Sequence, residues 1–125
     1  MDVRPEEWPG VTMENGRVVK LEFYACGLTG ALPAEIGQLA SLRELHLHSN
    51  KLTSLPAEIG QLTSLEVLYL DGNELTSLPA EIGQLTSLLQ LDLRGNQLTS
   101  VPAAIRDHRA AGCHVYLDDG VTVDE

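Results

Sequence analysis

The sequence predicts an α/β solenoid, in which short coils that each contain a strand and a helical or irregular turn stack on one another. Three tandem segments begin at Leu42, Leu65 and Leu88, so the repeat period is 23 residues, within the range of solenoid proteins. The apolar positions stay constant between the copies while the residues between them vary. One such repeat cannot bury its leucines alone, so each coil needs a neighbour and the copies form a stack.

The strand of each repeat is predicted by a short alternation of side chains. In the central copy, Leu68 and Leu70 flank Tyr69. A period of two residues indicates a strand with one buried face, so we expect both leucines to point inward and Tyr69 to point outward.

An asparagine recurs after each strand, at Asn50, Asn73 and Asn96. An amide both donates and accepts hydrogen bonds, so it can satisfy backbone groups where the chain turns away from the sheet. We therefore expect a structural role, and replacement by alanine should cost about 1–3 kcal/mol because backbone groups lose their partners.

The segment from Pro79 to Leu85 is predicted to form one helical or irregular turn on the opposite side of the coil. Pro79 suits a first helical position, where its missing N–H costs nothing. Gly83 argues against a long helix, since glycine destabilises a helix interior.

The pattern LxxLxLxxNxLTxLPxxIGxL resembles a leucine-rich repeat of the short, typical 23-residue kind found in Ras-group intracellular proteins. The likeness covers roughly residues 18 to 117. It implies a right-handed leucine-rich-repeat solenoid with a parallel concave β-sheet and a short-helical or irregular convex side. It also implies that the outward-facing strand residues bind another protein. We expect one domain over 1–125, with an N-terminal cap at 1–17, four repeats at 18–110, and a C-terminal cap strand with an acidic tail at 111–125.

The N-terminal segment resembles the cap of plant-type leucine-rich-repeat receptors, since it reads WPGV followed by GRV, and LTGALP at 28–33 is close to the plant-type LxGxxP. It lacks the paired cysteines of the secreted receptors. We expect Trp8 and Val11 to cover the first strand, although Trp8 could instead bind a ligand. Asn15 and Gly16 predict a tight turn before a strand at 18–23.

Two cysteines indicate the compartment. Cys26 replaces the asparagine in the first repeat, where we expect a small buried thiol. Cys113 lies at the opposite end of the stack, so a bridge with Cα atoms about 4.4–6.8 Å apart is not expected. Reduced thiols, together with a start that has no apolar run, predict a cytoplasmic protein.

The charge balance narrows the choice of partner. The net charge is −10, with only 8 Lys and Arg residues, which disfavours nucleic acid and anionic membranes. The sequence has no Gly-rich phosphate loop, no recognisable Ser-His-Asp pattern and no CxxC. We therefore expect no cofactor and no enzyme activity, and another protein as the partner.

Aligned repeats place the outward residues in columns that vary while the skeleton stays constant, and we expect specificity there. We expect Tyr69, Val67 and Leu89 to form an apolar centre with a polar rim, as in a protein interface. The alternative is a surface that exposes a few apolar side chains without function. The candidate partner-binding residues are Tyr24, His46, His48, Val67, Tyr69, Asp71, Leu89, Asp92, Arg94 and Tyr116.

Two other functions stay open. The stack could self-associate weakly, or be a consensus-type scaffold. As a minor alternative, His46 and His48 on one strand and Asp71 on the next could supply three ligands to a divalent metal, although rigid parallel strands do not readily close around one ion.

The C-terminal end departs from the repeat, because RDHR replaces GQLT and makes the last turn polar, as a capped stack requires. We expect a helix at 105–111 that Gly112 ends, and a closing strand at 113–117 with Val115 and Leu117 inward. The acidic tail is expected to fray.

Overall fold

The computed structural model describes residues 9–125, so the predicted capping role of Trp8 lies outside the described residues. The strands in this range are β1 (Val11–Glu14), β2 (Arg17–Glu22), β3 (Thr29–Ala31), β4 (Glu44–His46), β5 (Lys51–Ser54), β6 (Val67–Tyr69), β7 (Gln90–Asp92), β8 (Ser100–Val101), β9 (His114–Tyr116) and β10 (Thr122–Val123). A six-stranded sheet has the order β1-β2-β4-β6-β7-β9. Within this sheet, β2, β4, β6, β7 and β9 are parallel, and each coil contributes one of them.

The predicted strand register is confirmed. Leu45, Leu68 and Leu91 are paired across adjacent strands, and Leu68 and Leu70 are completely buried. Tyr69, between them, is only half-buried. The two faces of the sheet therefore separate the core from the variable side chains.

The core runs along the stack between the sheet and the turns on the convex side. Full burial of one leucine stabilises the fold by about 1.5–3 kcal/mol, and here each burial requires a neighbouring coil. The largest fully buried side chains are Leu42, Leu45, Leu47, Ile59, Leu62, Leu65, Leu68, Leu70, Leu75, Ile82, Leu85 and Leu91.

The asparagines bond neighbouring coils together, as predicted. Asn73 Oδ1 accepts from the N–H of Leu52 (3.0 Å). Its Nδ2 donates to the carbonyls of Leu47 (2.9 Å) and Leu70 (3.0 Å). Asn50 and Asn96 bond in the same way.

The convex turns are 3₁₀ helices at Ala34–Gln38, Ala57–Gln61 and Ala80–Gln84. Pro79 has φ −68° and ψ 147°, so it is extended and precedes the helix. Pro79 was expected at the first helical position, but it lies one residue before the helix. The proline ring fixes φ but leaves ψ free to be extended. Gly60 allows close stacking, since a Cβ there would lie 2.6 Å from Gln84 Oε1.

A β-hairpin covers the N-terminal end of the stack. β1 pairs antiparallel with β2 through a turn in which Asn15 (φ 53°) and Gly16 (φ 75°) are both left-handed, as the predicted tight turn requires. Val11 packs against the core. An ion pair between Glu14 and Arg43 joins this hairpin to the following coil.

Cys26 is exposed, so the expected buried thiol is wrong. An asparagine at this position turns inward because its amide bonds the carbonyls of the preceding coil, whereas a thiol is only a weak donor. Cys26 Sγ instead lies 3.3 Å from the carbonyl oxygen of Tyr24. Asn50 still accepts the Cys26 N–H (3.0 Å), so the backbone at this corner is satisfied.

Helix α1 (Ala104–Ala110) covers the other end of the stack, and Gly112 follows with φ 98°. Val115 and Leu117 pack against the core, as expected. His108 is buried although the segment was expected to be polar, because its Nε2 lies 2.8 Å from the carbonyl oxygen of Ile82 and can donate to it. The ring of His108 therefore points into the stack and bonds the preceding coil, and it does not face solvent.

The acidic tail is ordered, so the expected fraying is wrong. β10 pairs parallel with β8, and β3 pairs with β5 in the same way, which forms two small sheets that the sequence did not predict. The N–H of Asp124 donates to the carbonyl of Val101 (2.8 Å), and Arg106 donates to the carbonyl of Asp124 (3.1 Å). Within residues 9–125, none of the helices has the length and hydropathy to cross a membrane.

Candidate functional site

The concave sheet brings the predicted columns together. Tyr69 is paired with His46 on one side and with Asp92 on the other, and Glu22 and Tyr116 continue this column at its ends. The second column keeps the same register. The N–H of Ser49 donates to the carbonyl of Asp71, and one coil further on the N–H of Gly72 donates to the carbonyl of Arg94. The variable residues therefore form a regular grid.

Four rings form a cluster at the N-terminal half of this face. Tyr24 and His48 stack with their centroids 4.8 Å apart and an interplanar angle of 8°. Tyr69 contacts His46 at 4.9 Å and His48 at 5.9 Å, both edge to face. Edge-to-face contacts at these distances are favourable for aromatic rings. We call Tyr24, His46, His48 and Tyr69 the ring cluster.

The two histidines are held by neighbours within the protein. His46 Nε2 lies 3.0 Å from Glu44 Oε1, and Lys20 Nζ lies 3.7 Å from the same oxygen. His48 Nδ1 is buried and has no hydrogen-bond partner in the described part of the chain. No group of three or more His, Cys, Asp or Glu side chains in residues 9–125 is placed to hold a metal ion. Contacts with Tyr24, Tyr69 and Glu44 therefore hold the two histidine rings in place.

Asp92 and Arg94 form an ion pair on the C-terminal half of the face. Arg94 Nε donates to Asp92 Oδ1 (3.0 Å), and Arg94 Nη2 donates to Asp92 Oδ2 (2.6 Å). The hydrogen bond and charge of Asp92 raise the pKa of Arg94 above its usual value. Asp92, a candidate partner-binding residue, is only 7% exposed, so a partner would reach Arg94 before the carboxylate. The guanidinium caps the carboxylate and also lies 5.0 Å from the centroid of the Tyr116 ring, in a cation–π contact.

Gln90 belongs to the site although it was not among the candidates. The hydroxyl of Tyr69 donates to Gln90 Oε1 at 2.7 Å. Gln90 and Asp92 flank the inward Leu91, so the alternation in the sequence already places Gln90 on the outer face. Its contact with Tyr69 depends on side-chain conformation, which that alternation does not fix.

An open depression of about 340 Å³ lies at the centre of the concave face. We call it the central depression. Val67 and Leu89 do not line it, and Leu89 is 56% exposed, so the expected apolar centre with Tyr69 stays a prediction. The depression itself is lined by aromatic, polar and charged side chains. The lining residues are His48, Tyr69, Asp71, Gln90, Asp92, Arg94 and Tyr116.

The parallel sheet, the repeating core and the variable outer face define a solenoid of the class that serves as a protein-interaction module. Residues 12–109 match a leucine-rich repeat region, and the chain belongs to the leucine-rich repeat family. No individual curated protein matches the chain. The finer repeat subtype stays a prediction.

Solved structures from plants are similar to this chain. The BIR2 ectodomain from Arabidopsis thaliana is 32% identical with a TM-score of 0.73, and the match covers 80% of this chain and 56% of that one, so the chain spans little more than half of it. The leucine-rich repeat ectodomain of the receptor kinase SOBIR1 from Arabidopsis thaliana is 24% identical with a TM-score of 0.72, and the match covers 100% of this chain and 88% of that one. The BIR3–SERK2 complex from Arabidopsis thaliana contains a chain that is 20% identical with a TM-score of 0.54, and the match covers 96% of this chain and 78% of that one.

Proposed function

We propose that this protein is a non-enzymatic interaction module that binds another protein on its concave face. The observation that carries the proposal is the combination of the ring cluster and the central depression on one rigid sheet. Aromatic and arginine side chains surrounded by polar groups are the composition of protein-interface hot spots. The BIR3–SERK2 complex supports this function, because it shows a protein of this fold in a complex with another protein.

The sheet also suits binding because it needs little reorganisation. The side chains of the site are already held by one another, for example Tyr69 by Gln90 (2.7 Å) and Arg94 by Asp92 (2.6 Å). A preorganised surface loses less conformational entropy on association than a flexible one. A partner with a basic or mixed-charge surface is favoured by the net charge of −10.

Binding on this face is tested by capture and calorimetry with two double variants. The first, Tyr69→Ala with Arg94→Ala, removes side chains from the concave face. The control, Glu35→Ala with Lys51→Ala, removes exposed side chains outside the concave sheet. A partner is isolated from the source cell by crosslinking to the unmodified protein, and is then purified and titrated against each variant.

We expect the concave double variant to weaken binding at least about 100-fold, because hot-spot side chains contribute about 2 kcal/mol or more each. The control should bind as the unmodified protein does and keep its melting temperature. The concave variant should melt earlier, because the buried carboxylate of Asp92 loses its guanidinium, so binding is compared at a temperature at which circular dichroism shows both variants folded. Undiminished binding by the concave variant, or lost binding by the control, would place the site elsewhere. Light scattering at several concentrations separates this function from self-association, which a strict monomer excludes.

We also propose that the protein is cytoplasmic. Cys26 is exposed and both cysteines are free, as is usual where thiols stay reduced. Cell fractionation, with labelling of Cys26 by a membrane-impermeant maleimide before and after lysis, tests this location. Labelling of intact cells would show an extracellular protein instead.

A further inference from the structure

Two polar side chains of the central depression are satisfied by neighbours within the protein. Both carboxylate oxygens of Asp92 accept from Arg94. Gln90 Oε1 accepts from the hydroxyl of Tyr69. Two groups are different. His48 Nδ1 is buried and has no partner in the described part of the chain, and the carboxylate of Asp71 takes part in none of the side-chain ion pairs of residues 9–125. The depression therefore contains one carboxylate that is free to bind a ligand.

The surroundings of Asp71 favour a cation. Two carboxylates and one guanidinium line the depression, so their formal charges sum to one negative charge. The protein as a whole has a net charge of −10, so its overall field attracts basic partners. A half-buried carboxylate interacts more strongly with a cation than an exposed one, because solvent screens it less.

The aromatic lining favours a planar cation in particular. Arg94 already lies 5.0 Å from the centroid of Tyr116, so these walls accommodate a guanidinium against a ring. Tyr69 and His48 present further rings to the same space. A guanidinium can stack on a ring and bond a carboxylate with two parallel N–H groups, whereas an ammonium does neither as well.

We propose that the central depression binds an arginine side chain of the partner, with Asp71 as its counter-ion and Tyr69 as a stacking surface. This inference rests on the proposed function and names the chemistry of its partner. The volume of about 340 Å³ is at the low end of ligand pockets, so it suits one side chain and leaves the remaining contacts to the rest of the face. The partner accordingly carries an exposed arginine at the centre of its interface.

The test is a titration of the ¹⁵N-labelled full chain with short peptides, followed by NMR. The probe is acetyl-Gly-Arg-Gly-amide. Its matched neutral control carries citrulline, which has nearly the same shape but no charge, and two further peptides carry lysine and glutamate. We expect saturable shifts of backbone amides around Asp71 with the arginine peptide, and binding weaker by about tenfold with citrulline, which corresponds to about 1.4 kcal/mol.

Two protein variants test whether the carboxylate of Asp71 is the counter-ion of the arginine. Asp71→Asn keeps the shape of the side chain and should weaken binding of the arginine peptide by about tenfold, since the counter-ion is lost. Asp119→Asn makes the same change in net charge at an exposed position outside the depression, and should leave binding unchanged. The amide spectrum of each free variant shows that it is folded.

Equal binding of arginine and citrulline, equal losses in the two variants, absence of any saturable shift, or tighter binding of the glutamate peptide would each overturn the inference. Tighter binding of lysine would overturn the stacking role of Tyr69. If the peptides fail while Tyr69→Ala with Arg94→Ala still abolishes partner binding, only the arginine inference falls. If that double variant keeps its partner, the proposed function itself falls.

Discussion

Replacement of Asn73 by alanine tests whether the asparagines hold the coils together. Asn73 is 5% exposed and makes three hydrogen bonds to backbone groups. Two of these groups keep another donor in the variant, because Asn50 also donates to the carbonyl of Leu47 (3.0 Å) and Asn96 also donates to the carbonyl of Leu70 (2.9 Å). The side-chain hydrogen bond to Leu52 N–H has no such substitute.

The expected cost follows from this difference. An unpaired buried N–H costs about 1–3 kcal/mol, and each hydrogen bond lost from a carbonyl that keeps a second donor costs about 0.5 kcal/mol. Asn73→Ala should therefore lower the free energy of unfolding by about 2–4 kcal/mol. Asn96→Ala removes the corresponding bonds one coil further on, where the carbonyl of Leu93 has no second asparagine donor, but Asn96 is half-buried. Water can replace part of its bonding there, so we expect only about 1 kcal/mol.

Equilibrium unfolding in urea, followed by circular dichroism and by tyrosine fluorescence, measures both variants. Coincident transitions with an unchanged slope are needed to compare free energies, because a stacked-repeat protein can unfold in parts. A loss below about 1 kcal/mol for Asn73→Ala, or a larger loss for Asn96→Ala, would refute the account of the buried N–H.

Three further predictions concern single side chains. Ser49 has φ 61° where the next coil has Gly72, so Ser49→Gly should raise the free energy of unfolding by about 0.5–1 kcal/mol and Gly72→Ser should lower it, as chemical denaturation will show. Iodoacetamide should modify exposed Cys26 in the folded protein, but Cys113 only after unfolding. Mass spectrometry checks this labelling. Burial raises the pKa of the Cys113 thiol, so the stability that the neutral thiol contributes is present at neutral pH and is lost as the pH rises above the ordinary thiol range. Unfolding at several pH values checks this loss. His108→Ala should cost about 2 kcal/mol in thermal unfolding, because a buried ring is lost and the carbonyl of Ile82 keeps only the long hydrogen bond from the N–H of Leu85 (3.4 Å). A variant as stable as the unmodified protein would show that water replaces the ring.

The fold could be predicted from the sequence because its determinants are local and repeated. The alternation around Tyr69 sets the strand register, and the structure confirms it. The turn at Asn15 and Gly16 follows from the backbone conformations that these residues tolerate. The end of the chain was harder, because the pairing of β10 with β8 joins segments far apart in sequence and has little apolar pattern of its own.

The site could be predicted only in part. The alternation gives which residues face outward, and six of the seven residues that line the central depression were among the candidates. It does not give which outward side chains bond one another. The burial of Asp92 under Arg94 and the contact of Tyr69 with Gln90 depend on side-chain conformations and on the curvature of the sheet. These contacts decide that Asp71, and not Asp92, has a free carboxylate.

The central depression spans four neighbouring coils, which limits how the repeat number can change. An additional 23-residue copy placed before Leu42 would lengthen the arc and leave the walls at Tyr69 and Tyr116 together. The same copy placed at Leu88 would separate those two rings by one more strand spacing, about 4.8 Å. Duplication before Leu42 therefore keeps the central depression whole but separates Tyr24 from His48 in the ring cluster, whereas growth at Leu88 would divide the central depression itself in two.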